Sequence, residues 1–337
     1  MKKTLINILK IGIPLSLGVF LIWWIYKGLS EDEKQSIFNS LKSADYSWFL
    51  AAFVLGIFSH LSRAYRWQIM AESLGYKTRL VNSMGAVMIG YLANMAFPRL
   101  GEVSRCAILN RYEKIPIEKA LGTIIAERAI DLIILLTISF TVLFVEYDII
   151  YQFLNETILI PVSEKFSGED GLKIKLMILF GFTLFIGIAY FLLKNKFSGL
   201  VSKIKGLMVG VLEGLQSVLK LKRKLTFIFH SFFIWGCYIM MLYLCFFCLP
   251  ETSILPFGAA MSAFVFGSFG IIAVQGGIGA YQALITKTLA LYGLAEAYGF
   301  ALGWISWTAQ TLMILALGFL AIFMLPILNK NYKNEQV

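Results

Sequence analysis

The 337 residues are 58% hydrophobic and 15% charged, with a net charge of +10 and a mean hydropathy of +0.76. That composition excludes an ordinary soluble globular chain. Apolar runs long enough to cross a bilayer recur from end to end, so the expected class is an all-α polytopic membrane protein. No polar stretch exceeds about thirty residues, which is too short for a separate soluble domain, so 1–337 reads as one integral membrane domain. The basic excess reads as membrane topology and contact with anionic head groups, and nucleic acid is not an expected partner.

The first apolar run, about 8–26, follows Lys2 and Lys3 and ends in Trp23, Trp24 and Tyr26. It has no small-x-small cleavage site, and its closing aromatics suit a membrane interface, so it reads as an uncleaved first span. Further apolar segments are expected at 47–62, 82–97, 118–145, 172–193, 225–249, 256–274, 278–293 and 298–325. The stretch 198–224 carries an apolar stripe at helical spacing flanked by lysines and reads as a helix lying on the cytoplasmic interface.

Most of the 30 lysines and arginines fall in three blocks and the two chain ends. One block is Arg63 to Arg79, a second Arg99 to Lys119 and a third 194–224. Placing them all on one side makes that side cytoplasmic by the positive-inside rule, together with both termini. The acidic stretches 31–33 and 146–170 then lie opposite. This arrangement holds only if 82–112 dips in from the cytoplasm and returns, and if 256–293 does the same from outside. The expected architecture is therefore about six full transmembrane helices plus two re-entrant helical hairpins in an inverted repeat. The chain divides into 1–46 (first span and outer loop), 47–146 (first repeat), 172–224 (linking span and interfacial helix) and 225–325 (second repeat). Breaks at matching places in inverted halves mark transporter-type binding sites.

The first break reads NMAFPRLGEVSR, Asn94 to Arg105. Pro98 ends one half-helix and Gly101 permits a tight turn. Arg99 stands at the cusp, where a cation and free backbone N–H groups at a helix start favour an anion. Glu102 and Arg105 are spaced to pair at i, i+3. In AERAID, 126–131, Glu127 and Asp131 share a helix face, with Arg128 beside them. The apolar run after them, 132–145, covers only about 21 Å against a hydrocarbon core of about 30 Å. The charged turn must therefore enter the membrane, where Arg63 and Arg66 are its natural partners. A purely structural ion cluster is the rival reading. The second break, FGIIAVQGGIGAYQALI, offers Gly276, Gly277 and Gly279 for close backbone approach to a ligand, or merely for packing.

These motifs together resemble the flippase-like family that includes the transmembrane region of lysylphosphatidylglycerol synthases. RAYRW, N-x-x-x-P-R-x-G-E-x-x-R at Asn94 to Arg105, E-R-x-x-D at Glu127 to Asp131 and G-G-x-G at Gly276 to Gly279 carry the resemblance, over roughly 5–325. It implies a role in moving or accommodating a lipid across the inner membrane. The family pattern commonly has Pro before the glycines and Glu after them, where this chain has Gln275 and Gln282. The full synthases carry a C-terminal catalytic domain; this sequence ends at Val337 without one, so their aminoacyl transfer is not expected.

The expected function is translocation of a phospholipid or polyprenyl-phosphate-linked lipid across the cytoplasmic membrane, with the lipid as partner. Its substrate site would be Arg63, Arg66, Asn94, Arg99, Glu102, Arg105, Glu127, Arg128 and Asp131. Pro98, Gly101, Gly276, Gly277 and Gly279 would serve as hinges. No cofactor, metal or catalytic residue is expected, since only two histidines, His60 and His230, are present. The four cysteines, Cys106, Cys237, Cys245 and Cys248, read as buried thiols. Two other readings stay open: a membrane anchor for a separately encoded lipid-modifying transferase, and an intramembrane enzyme using Glu127 or Asp131 as a base.

Overall fold

The computed structural model describes residues 16, 18–97, 99–154, 160 and 221–330. The expected span 172–193, the interfacial helix up to residue 220, and Pro98 lie outside the described residues, as does the start of the first span. Everything assigned to an element among the described residues is helical. The helices are α1 (18–28), α2 (Glu31–Ser43), α3 (Tyr46–Ser73), α4 (Leu80–Ala96), α5 (Leu100–Glu113), α6 (Ile117–Val145), α7 (Tyr147–Leu154), α8 (Lys224–Phe246), α9 (Pro250–Ser253), α10 (Phe257–Ala273), α11 (Ala280–Ala290) and α12 (Glu296–Leu328). Of these, α3, α6, α8 and α12 are long and apolar enough to span a membrane.

Local chemistry sets the boundaries. Ser30 and Glu33 form a reciprocal capping box that starts α2, a helix inside what read as an outer loop. Asp45 caps α3 by accepting from the Ser47 N–H at 2.9 Å. Pro116 and Pro256 stand immediately before α6 and α10.

The two halves repeat the same order: a long helix, a hairpin of two shorter ones, and a long helix. Helix α3 packs along α8. Helix α4 packs on α12, and α10 packs on α6, so the contacts survive exchange of the halves. The partners run antiparallel. Near the start of α3, Trp48 stacks 5.0 Å from Phe247 just past the end of α8, while near its end Arg66 reaches Ser231 near the start of α8. Likewise Gly85 and Leu92 on α4 meet Leu325 and Gly318 on α12. Antiparallel partners related in this way are what an inverted repeat requires.

The hairpin α4–α5 closes through glycine. A Cβ on Gly101 would lie 2.2 Å from the Gly90 carbonyl oxygen, and the Asn94 Oδ1 accepts the Gly101 N–H at 2.7 Å. In α10–α11 the turn is longer, with Gly276, Gly277 and Gly279 all at positive φ. Helix α11 has 11 residues, or about 17 Å, too short to cross a hydrocarbon core of about 30 Å. The two hairpin tips touch: Gln275 Nε2 donates to the Asn94 carbonyl at 3.0 Å. Helix α1 crosses the second tip so closely that a Cβ on Gly279 would sit 1.9 Å from the Gly18 carbonyl oxygen.

Candidate functional site

Five charged side chains from three helices of the first half meet in the interior. Helix α3 presents Arg63 and Arg66, α5 presents Arg105, and α6 presents Glu127 and Asp131, all of them buried. The i, i+3 and i, i+4 spacings place each pair on one helix face. Arg63 Nη1 donates to Glu127 Oε1 and Asp131 Oδ2, both at 2.7 Å. Arg66 donates to Asp131 Oδ1 at 2.9 Å through Nη1 and to Glu127 Oε1 at 3.0 Å through Nη2. Arg105 Nη1 lies 2.9 Å from Glu127 Oε2. Ser231 accepts from Arg66 at 3.1 Å, and the Trp235 indole donates weakly to Asp131 at 3.4 Å. The guanidiniums also lie over rings: Arg63 over Tyr238, Arg66 over Phe227 and Arg105 over Trp67.

The cluster holds three cations and two anions, and it leaves donors unused. Arg63 Nε, Arg66 Nε, Arg105 Nε and Arg105 Nη2 are buried without a hydrogen-bond partner. A buried, underpaired cation is expensive in any apolar surrounding and attracts an anion.

Of two cavities between the halves, one is lined by members of this cluster and the other reaches only the neighbouring Arg128. One, of about 350 Å³, is walled on the first-half side by Arg63, Arg128 and Asp131. The other, of about 430 Å³, is bounded by the tip residues Asn94, Gln275 and Gly276. They share Tyr91, Arg128, Ile271, Ile272 and Gln310, so they lie against the same side chains. A gap of about 20 Å³ beside Arg105 and Glu102 also touches Arg128. The Arg128 side chain is 52% exposed and stands 3.5 Å from Glu102, an arginine at the cavity wall held by one loose ion pair.

The expected residues thus divide. Arg63, Arg66, Arg105, Glu127 and Asp131 form the core of the site, and Glu102 and Arg128 flank it. Glu102 and Arg105 do not pair with each other; each reaches across to α6, because α5 packs there and Glu127 is the deeper anion. Asn94 lines the cavities, but its carbonyl oxygen Oδ1 is spent on Gly101. Arg99 sits apart: it is exposed, in the left-handed conformation at φ 64°, and lines none of these cavities. At the second break, where the glycines were expected to let backbone approach a ligand, two of their N–H groups are already used. Gly277 donates to the Val274 carbonyl and Gly279 to Gln282 Oε1, both at 2.8 Å.

Residues that the motifs passed over also line the cavity of about 350 Å³: His60, Tyr91, Tyr238, Ser306 and Gln310. Among the described residues no group of three or more His, Cys, Asp or Glu side chains could hold a metal ion. The four cysteines are free and buried.

Fold and site together define a polytopic helical membrane protein with an ionic core beside an internal cavity. The chain belongs to the family described as the lysylphosphatidylglycerol synthase TM region, whose model matches residues 8–318. It is also similar to a UPF0104 membrane protein of Methanocaldococcus jannaschii, 28% identical over 120 residues that make up 35% of each chain. No solved structure matches it significantly.

Proposed function

We propose that the protein is a lipid translocase of the cytoplasmic membrane, moving a phospholipid or a polyprenyl-phosphate-linked lipid. One observation carries the reading: a buried arginine cluster with a surplus positive charge and unused donors, beside a cavity of about 350 Å³ that Arg63 and Asp131 line. Arginine forks suit phosphate oxygens, and the exposed Arg128 would meet the head group first. Acyl or prenyl chains would stay in lipid while the head group passes between the halves. The family, named for a lipid synthase's membrane region, supports a lipid as the ligand. Parting of the hairpin tips would expose the cavity to either side in turn.

The test is flux of tail-labelled lipids in liposomes holding the purified protein, with Arg128→Ala beside wild type. Arg128 is half exposed, so its removal should spare the fold. Flux for one class of phosphate-bearing lipid, cut at least about tenfold by the substitution, is expected, since a charge-assisted bond contributes roughly 1.5–3 kcal/mol. Absence of flux for every head group refutes the reading and leaves the anchor for a transferase standing.

A further inference from the structure

The halves share a skeleton but not a chemistry, and the difference falls on the cavity wall. Counted from the helix starts Ile117 and Glu296, Glu127 and Asp131 on α6 occupy the positions of Ser306 and Gln310 on α12. Counted from Leu100 and Ala280, Glu102 on α5 matches Gln282 on α11. In both halves the returning hairpin helix touches the last helix at this level: Arg105 reaches Glu127, and the Tyr281 hydroxyl donates to Ser306 at 3.1 Å. Three acids of the first half are therefore a serine and two glutamines in the second.

The cavity of about 350 Å³ lies between these unlike walls. One wall presents Arg63, Arg128 and Asp131; the other presents Ser268, Tyr281, Ser306 and Gln310, with no charge. His60 lines the same space, only 2% exposed, with both ring nitrogens lacking a partner. A buried imidazole with neither nitrogen bonded is costly. Tyr91 and Tyr238 pack their rings 5.0 and 6.1 Å from it, which fixes its orientation without satisfying it. The space has room for roughly a dozen water-sized groups at about 30 Å³ each.

We propose that this neutral wall, together with His60 of α3, is a subsite for an uncharged, hydroxyl-bearing portion of the head group, a glycerol or a sugar esterified to the phosphate. The inference rests on the translocase reading for its phosphate, which the arginine side holds, while His60 and Gln310 take the hydroxyls. Both side chains can donate and accept, as a hydroxyl does, and the flanking aromatic rings suit the apolar faces of a polyol. An ammonium head group is disfavoured, because Asp131 already accepts from Arg63, Arg66 and Trp235 and the opposite wall holds no acid.

The test is equilibrium binding to the detergent-purified full chain of three lipids with identical tails: phosphatidylglycerol, phosphatidylpropanol and phosphatidylethanolamine. Flux of the same lipids is measured in parallel. Wild type should bind the glycerol head about tenfold more tightly than the propanol head, the worth of roughly two neutral hydrogen bonds. His60→Phe, which keeps a ring against Tyr91, and Gln310→Leu should each bring that ratio toward one. Should His60→Phe fail to fold, Gln310→Leu decides the matter alone. Equal affinity for the glycerol and propanol heads in wild type overturns the subsite, and so does a preference for ethanolamine. Selective binding without flux refutes the translocase and leaves the subsite standing; flux without selectivity does the reverse.

Discussion

Replacing Glu127 by Gln removes the one anion that touches all three buried arginines, at 2.7, 3.0 and 2.9 Å. Asp131 would then face Arg63, Arg66 and Arg105 alone, raising the surplus from one positive charge to two. Size is almost unchanged, so the loss is electrostatic. Removing one partner of a buried ion pair costs about 3–5 kcal/mol, because the charge left behind is neither solvated nor paired. Glu102→Gln is the matched control: its partner Arg128 is half exposed and 3.5 Å away, and such pairs contribute about 0–1 kcal/mol. Thermal unfolding in detergent should show Glu127→Gln lower in melting temperature by on the order of 10 °C, with Glu102→Gln within a few degrees of wild type. Adding Arg105→Met to Glu127→Gln restores the original surplus and should recover part of the loss, a coupling that a double-mutant cycle reads directly. Equal, small shifts for Glu127→Gln and Glu102→Gln would refute the view that Glu127 organises the cluster.

Other outcomes are open to measurement. Gly101→Ala should weaken the first hairpin by about 1–3 kcal/mol, because its Cβ would meet the Gly90 carbonyl oxygen at 2.2 Å; Gly122→Ala, with nothing within 4 Å, should be neutral or stabilising in the same melt. Gln275→Leu, which removes both bonds to the first tip, should destabilise the fold by about 1 kcal/mol in the same melt, and an unchanged melt would contradict the contact between tips. Asp45, whose carboxylate is held below its ordinary range by the Ser47 hydroxyl and N–H, should stabilise α3 above its unfolded pKa and lose that contribution as pH falls through the lower folded value. Asp45→Asn should flatten that part of a stability–pH profile, and an unchanged profile would exclude the cap.

Much of the architecture was readable because a bilayer leaves few options. Apolar runs punctuated by proline, glycine and charge located α4, α6, α8, α10 and α12 to within a few residues and the start of α3, which runs eleven residues past its apolar segment through Arg63 and Arg66, and charge asymmetry required the two hairpins. The Arg63–Arg66–Glu127–Asp131 contacts were legible for the same reason: charges inside an apolar run must find each other. What lay beyond reach depended on packing. Spacing along α5 allowed Glu102 to pair with Arg105, and only the approach of α6 sends both elsewhere. Arg99 read as a cusp cation, but it is exposed and lines none of the cavities described. His60, Ser306 and Gln310 carry no formal charge, so nothing in the chain separated them from ordinary packing residues. The helix α2 was a signal passed over, since Ser30 and Glu33 spell its capping box.

The joint between the hairpins has an unequal division of labour. Gln275 addresses main-chain carbonyls, at 3.0 Å on Asn94 and 3.4 Å on Met95, and a main-chain oxygen is supplied by every amino acid. A substitution at 95 would leave both acceptors in place, and one at 94 would act through the Gly101 N–H that its side chain holds, whereas a single change at 275 would remove both bonds. The side-chain identity that these two bonds require is thus stored on one side of the joint only.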